Sequence, residues 1–327
     1  MDFLTADSLP WLGLSQQRLR DSLLAERLPH SSLLLSPPGL GAEHLANWMA
    51  ALALCESRAK RPCGACTSCS LLRSDSHPDY TLVRLEEDAK QIKVDQIREL
   101  IGSLTLKSYR GGYKVGIIEG AEALNANGAN AFLKTLEEPS ADTMLVMIAK
   151  PSHRLPATIA SRCLRLVLRP PPRDAAVAWL KAHGRPDQDW DAALALAGGA
   201  PLLALELDET GIAALEKEMR EGLQAIAAGA VDVTLLAGEW AKSNLGLRLT
   251  WLENWITRRV HAALGDANSN QSAERVRLPA ALLKPKMRAL FELLDAARDL
   301  RSLASTGLNQ QLALEALLLG GRTALAK

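Results

Sequence analysis

The apolar positions of this chain follow two periods, and the change near residue 169 divides it. In the first half, short apolar runs alternate with longer stretches of helical spacing. Lys114-Val115-Gly116-Ile117-Ile118 is short, apolar and β-branched, the pattern of a strand buried on both faces of a parallel sheet, and Glu119 ends it. Further strands are predicted at Ser31 to Leu35, Tyr80 to Val83, Thr143 to Ala149 and Leu164 to Leu168. Between them four helices are predicted, because apolar residues recur at helical intervals. They are marked by Leu19, Leu23 and Leu24 within Gln16 to Leu28, by Leu45, Ala46, Trp48 and Met49, by Ile97, Leu100, Ile101 and Leu104, and by Ala129, Phe132, Leu133 and Leu136. Asp95 is the expected cap of the third and Asn125 or Asn127 of the fourth, which Glu137-Glu138-Pro139 stops because proline cannot continue a helix. Ala157 to Ala160 add a short helix before Ser161-Arg162-Cys163.

Arg169-Pro170-Pro171-Pro172-Arg173 reads as a stiff linker. Beyond it every periodic segment is helical. Asp174 is placed to cap a helix through Leu180, a second runs from Asp189 to Ala197 and ends at Gly198-Gly199, and a third opens at Ala200-Pro201-Leu202-Leu203. Leucine-periodic helices follow, one with Leu245, Leu249, Leu252, Ile256 and Val260, another with Met287, Leu290, Phe291, Leu294, Ala297 and Arg301. The polar stretch from Asp266 to Ser272 separates them. Strands alternating with helices, then helices alone, predict an α/β domain with a parallel sheet joined to all-α domains.

A chain of 327 residues can form two or three domains with real cores. Its net charge of +1 argues against gripping nucleic acid by overall charge, and aromatics at 4% advertise no stacking platform for single-stranded bases. No run reaches the roughly 18 apolar residues of a membrane span, and Met1 to Asp7 lacks the basic start of a secretion signal, so a cytoplasmic protein is expected.

Four of the five cysteines are bunched, which is not the layout of a secreted disulfide framework. Cys55, Cys63, Cys66 and Cys69 have the spacing C-x7-C-x2-C-x2-C, and Pro62 and Gly64 permit the tight turns that bring thiolates onto one ion. The expected site is a structural, tetrahedral Zn²⁺ with four sulfurs. A redox pair of Cys63 and Cys66, or four buried thiols, are the other readings. His77 could replace one ligand or serve as a turn residue in His77-Pro78-Asp79, while Cys163 packs as a small apolar group.

The turn after Ser31 to Leu35 stands where a phosphate-binding loop belongs, between a strand and a helix. Against G-x-x-x-x-G-K-[ST] it reads Ser36-Pro37-Pro38-Gly39-Leu40-Gly41-Ala42-Glu43, with Ala42 for the lysine and Glu43 for the hydroxyl residue. Ala42 cannot reach a phosphate, and Glu43 puts negative charge where phosphates would sit. An apolar strand tipped by Glu119 is the arrangement by which P-loop NTPases present a Mg²⁺ ligand. Lys107, Arg110 and Lys114 around Gly111-Gly112 form either a solvated hairpin edge or a DNA contact, and Lys150 to Pro156 is a breaker-rich loop with two positive charges.

Ile117-Ile118-Glu119-Gly120-Ala121-Glu122-Ala123-Leu124-Asn125, Phe132-Leu133-Lys134-Thr135-Leu136-Glu137-Glu138-Pro139 and Ser161-Arg162-Cys163 together resemble the bacterial clamp-loader ATPase family of the AAA+ class. The resemblance runs from Arg27-Leu28-Pro29-His30 to Asn309-Gln310-Gln311-Leu312 and is strongest between Ile92 and Cys163. It implies an AAA+-type α/β domain at 1–168 with a zinc module at about 55–69, a helical lid at 169–207 and a helical collar at 208–327. Glu119-Gly120 stands where the family's ATPases have Asp-Glu, and Leu202 where they have a phosphate-sensing arginine. With Ala42 and Glu43, these departures imply a chain that binds no ATP.

By the same resemblance, Arg162 is an arginine finger acting in trans on a neighbour's ATP, the one catalytic role expected of the chain. The implied partners are the tau/gamma ATPase subunits and delta in a hetero-pentamer and, through that complex, the sliding clamp and primed DNA. The chain would then be a non-catalytic subunit of a replicative polymerase holoenzyme. Two readings of other classes compete: an autonomous P-loop ATPase, which needs the missing lysine, and a zinc-dependent DNA-binding module, which predicts salt-dependent DNA affinity of the isolated chain.

Overall fold

The computed structural model describes residues 9–57, 60–86, 89, 91–150, 155–185, 188–207, 212–264, 285–303 and 309–322. The N-terminal residues 1–7, the basic loop with His153 and Arg154, and the polar stretch 266–272 lie outside them. The chain forms two compact units, Met1–Pro171 and Pro172–Lys327.

The first unit contains α1 (Gly13–Leu24), β1 (Ser31–Leu35), α2 (Ala42–Leu54), α3 (Thr67–Arg73), β2 (Tyr80–Val83), α4 (Val94–Thr105), β3 (Lys114–Glu119), α5 (Ala126–Glu137), β4 (Thr143–Ala149), α6 (Ala157–Ala160) and β5 (Leu164–Val167). All five strands are parallel, in the order β2-β3-β4-β1-β5. β4 is buried at every position and β3 at its first five, because both are interior strands covered on two faces. β5 pairs only with β1, and as an edge strand it leaves Leu164 and Val167 half exposed. Phe132 and Leu136 of α5 and Ile97, Leu100 and Leu104 of α4 pack with Leu33, Ile118, Leu145 and Met147 of the sheet. α2 shares no residue with that cluster and packs on β3 and β4 with Trp48 and Met49 fully buried.

This strand order sets β4 between β1 and β3. Leu35 is level with Ala149, and Glu119 with Ile148, so the loop after β1 and the tip of β3 flank the same strand end.

Several helix ends differ from the sequence expectation. α1 starts at Gly13 and stops at Leu24 rather than reaching Leu28, since Glu26 takes a left-handed φ of 54° that a helix cannot absorb. Asp95 does not cap α4. It lies in the first turn and pairs with Arg98, while the Gln96 side chain reaches back to accept the Lys93 amide. Of the two candidate asparagines, Asn125 caps α5 by accepting the Gly128 amide at 2.8 Å. Asp174 also falls inside its helix, whose boundary residue is Pro172. Proline there presets the backbone and leaves no amide to satisfy.

The second unit contains α7 (Arg173–His183), α8 (Trp190–Leu196), α9 (Pro201–Leu207), α10 (Ile212–Ala228), α11 (Val233–Lys242), α12 (Leu245–Leu264), α13 (Pro285–Leu303) and α14 (Gln310–Gly320). Asp189 caps α8 by accepting from the Asp191 and Ala192 amides. α8 also packs on α12, where the Asn254 side chain donates to the Ala195 carbonyl. α12 pairs with α13 and α11 with α14. The leucine stripes are core: Leu249, Leu252, Ile256, Leu290, Leu294 and Ala297 are all buried. Arg301 closes its stripe as an ion pair with Glu253 at 2.9 Å. No described helix is long and apolar enough to cross a membrane.

Candidate functional site

The loop at the end of β1 turns on two glycines and has Ala42 and Glu43 at the positions where the phosphate-loop pattern has lysine and a hydroxyl residue. Gly39 and Gly41 take positive φ values of 78° and 82°, and the Ser36 amide is anchored to the Ala149 carbonyl. Leu40 and Ala42 are buried, and the indole of Trp11 donates to the Leu40 carbonyl at 2.9 Å, pinning the loop from the N-terminal segment. The Glu119 carboxyl is pushed above the usual range, first by burial and then by Glu43. Two carboxylates therefore place negative potential at the helix end where an anion would need donors. Leu202 lies in the first turn of α9, in the second unit.

The cysteines converge. The sulfurs of Cys55, Cys63, Cys66 and Cys69 all lie within 4.8 Å of one another, and those of Cys55 and Cys66 are 3.9 Å apart. A tetrahedral site with Zn–S bonds of about 2.3 Å separates its sulfurs by about 3.8 Å, so the four thiols fit such an ion. They come from the end of α2, a knuckle at residues 63–66 and the buried face of α3. The Ala65 and Cys66 amides donate to the Cys63 sulfur and lower its pKa to about 6, and the Cys63 amide donates to the Cys55 sulfur. Burial pushes the Cys55 and Cys69 thiols up, and a divalent cation would supply the charge that ionises them. These cysteines can hold a metal ion.

His77 is not among the cluster residues. Its Nδ1 accepts the Asp79 amide, so Nε2 donates to the Ser68 hydroxyl at 3.1 Å, which in turn donates to Glu56 at 3.0 Å. Arg110 pairs with the same Glu56 at 2.6 Å, and Lys114 faces the buried Asp79 carboxylate at 3.6 Å. Two of the three basic residues around Gly111-Gly112 are thus engaged inside the fold. Sequence reading missed this relay because its members are dispersed, with Glu56 and Arg110 54 positions apart. Cys163 is half-buried, packed against the sheet core and apart from the four-thiol cluster.

Arg162 follows α6. Its carbonyl accepts from the Ser31 hydroxyl of β1, which fixes the triplet to the sheet. Its side chain is about a third exposed at 35% and pairs with Glu137 at the end of α5, at 2.6 Å. Glu137 was legible as part of a helix stop and of a family motif, but not as the partner of Arg162.

A family-wide sequence profile described as "DNA polymerase III, delta subunit" matches residues 14–172. The chain is 39% identical over 255 residues to DNA polymerase III subunit delta' of Pseudomonas aeruginosa, covering 76% of each chain. It is 32% identical over 323 residues to the subunit of the same name from Escherichia coli, covering 95% of this chain and 94% of that one. Over 152 residues it is also 32% identical to DNA polymerase III subunit tau of Salmonella typhimurium, which spans 46% of this chain and 23% of the relative.

Proposed function

The chain belongs to the DNA polymerase III subunit delta' family, within the clamp-loader AAA+ proteins, and on that premise we propose that it acts as an ATP-incompetent member of the loader, supplying an arginine finger to a neighbouring ATPase subunit. The carrying observation is the contrast within one sheet domain. The loop after β1 lacks the motif's lysine and its final hydroxyl residue and has two carboxylates beside it, whereas Arg162 is partly exposed on a triplet tied to β1. Arginine suits the task because its permanently charged planar fork can give two hydrogen bonds to phosphate oxygens, which lysine cannot.

In this reading the partners are tau/gamma-type ATPase subunits and delta, and through them the sliding clamp and primed DNA. The first unit is the AAA+ domain. The helices after residue 171 divide into a lid, through Leu207, and a collar that joins the ring. The thiol cluster holds a structural Zn²⁺, which when bound cross-links the end of α2 to α3 without an open position for chemistry.

The test is a reconstituted complex in which only the ATP site facing this chain is competent. Arg162→Ala should leave the complex assembled and lower clamp- and DNA-stimulated turnover by about 10³-fold or more, the range of arginine fingers elsewhere. Arg162→Lys should rescue little. Unchanged turnover in the alanine variant would make Arg162 a structural charge.

A further inference from the structure

Both terminal nitrogens of the Arg162 guanidinium are engaged within its own chain. Nη2 donates to Glu137 Oε1 at 2.6 Å, while Nη1 donates to the Thr158 carbonyl at 2.9 Å and lies 3.4 Å from the Ser161 hydroxyl. Those two terminal nitrogens are the pair that would grip phosphate oxygens two at a time. Yet the ion pair is open to water, with side-chain exposures of 35% and 51%. A pair so exposed contributes little to holding a fold together, and its partners exchange readily. The Thr158 contact is different in kind: it is local to α6 and keeps the arginine stem in place whichever anion takes Nη2.

We propose that Glu137 is a positioning residue that latches the finger. It holds Arg162 in an unengaged state, and the finger acts only when the neighbour's phosphate displaces the Glu137 carboxylate. This inference rests on the finger reading above. It gives the two motifs a joint role, because the helix stop at Glu137 delivers the carboxylate and the triplet delivers the arginine. A phosphoryl group carries more negative charge than one carboxylate, so the exchange runs forward once a docked neighbour brings its nucleotide within reach. Before that, the latch keeps the finger from stimulating turnover in a loosely assembled ring.

The experiment uses the same reconstituted complex and reads ATP turnover with and without clamp and primed DNA. Glu137→Gln keeps size and removes charge. It should raise unstimulated turnover by about two- to fivefold, the factor corresponding to an exposed ion pair, and so narrow the gap to the stimulated rate. Glu137→Asp retains the charge one methylene shorter and should fall between wild type and Glu137→Gln. The double variant Glu137→Gln/Arg162→Ala should turn over like Arg162→Ala alone. If Arg162→Ala is impaired but Glu137→Gln leaves unstimulated turnover unchanged or lower, the latch is wrong and the finger stands. If Arg162→Ala has no effect, the finger reading fails and takes the latch with it.

Discussion

Asp79 shows how much one residue can organise. Its side chain is almost inaccessible, and burial alone would raise its pKa, but the Tyr109 and Arg110 amides, the Ser108 hydroxyl and Lys114 hold it below the usual carboxylate range. A carboxyl lowered in the folded state contributes stability that is present above its unfolded pKa and is lost as pH falls through its folded one. Asp79→Asn should therefore cost about 3 kcal/mol at neutral pH, mostly by leaving buried Lys114 unpaired. In urea titrations the gap from wild type should narrow below about pH 4; a gap independent of pH would show that the carboxylate charge is not what matters. Ala42 makes the opposite case, where restoring one residue is not enough. Ala42 is buried beside the loop pinned by Trp11, and Glu43 and Glu119 remain when it changes. Ala42→Lys should still bind no labelled ATP with Mg²⁺ in equilibrium dialysis, whereas micromolar affinity would mean the lysine was the single defect. The sequence foretold both substitutions in the loop but not the buried carboxylate at Asp79, because its four partners come from residues 29 or more positions away or from a turn with no apolar period.

Elements were legible in proportion to how locally their ends are decided. β1 and β4, interior strands buried along nearly all their length, and the half-buried edge strand β2 all begin and end where the sequence placed them. The cap of α5 was narrowed to Asn125 or Asn127, of which Asn125 serves, and the segment expected to start at Asp189 does start there, with Asp189 as its cap. Asp95 and Asp174 misled because a cap-type residue inside the first turn also suits the positive end of a helix. The thiol module stands between these cases: its spacing announced a metal site, while the relay from His77 through Ser68 and Glu56 to Arg110, which ties it to the sheet, was invisible. Structural zinc contributes about 10 to 16 kcal/mol of apparent binding energy in small modules. Gently purified protein should therefore carry one zinc per chain. Chelation should expose the amides of residues 55–73 to hydrogen exchange well before those of β3 and β4. Metal-free protein with the same exchange pattern would mean the thiols are held by packing alone.

At the scale of the whole molecule, the linker composition at Arg169 to Arg173 coincides with the division between the two units at Pro171 and Pro172. Each unit has its own buried core, built on the parallel sheet in one and on paired helices in the other. The sheet is complete before the division, since β5 pairs with β1 and the Leu168 amide still donates to the Leu35 carbonyl. A fragment of residues 1–171 should accordingly fold on its own, unfold in one cooperative transition and retain the four-thiol site. The same fragment isolates what the helices add. Leu235 of α11 and Leu312 and Leu319 of α14 are exposed by 68%, 62% and 49%, on two helices that pack against each other. Isolated apolar residues at a surface need no explanation, but three exposed leucines on one pair of packed helices suit a contact with another subunit. If the collar assignment holds, the fragment should keep its zinc yet fail to co-purify with the ATPase subunits, and Leu312→Lys/Leu319→Lys in the full chain should weaken assembly without lowering the thermal midpoint of the first unit. Full assembly by the fragment would place the binding surface on the sheet domain instead and leave the exposed leucines without a partner to meet.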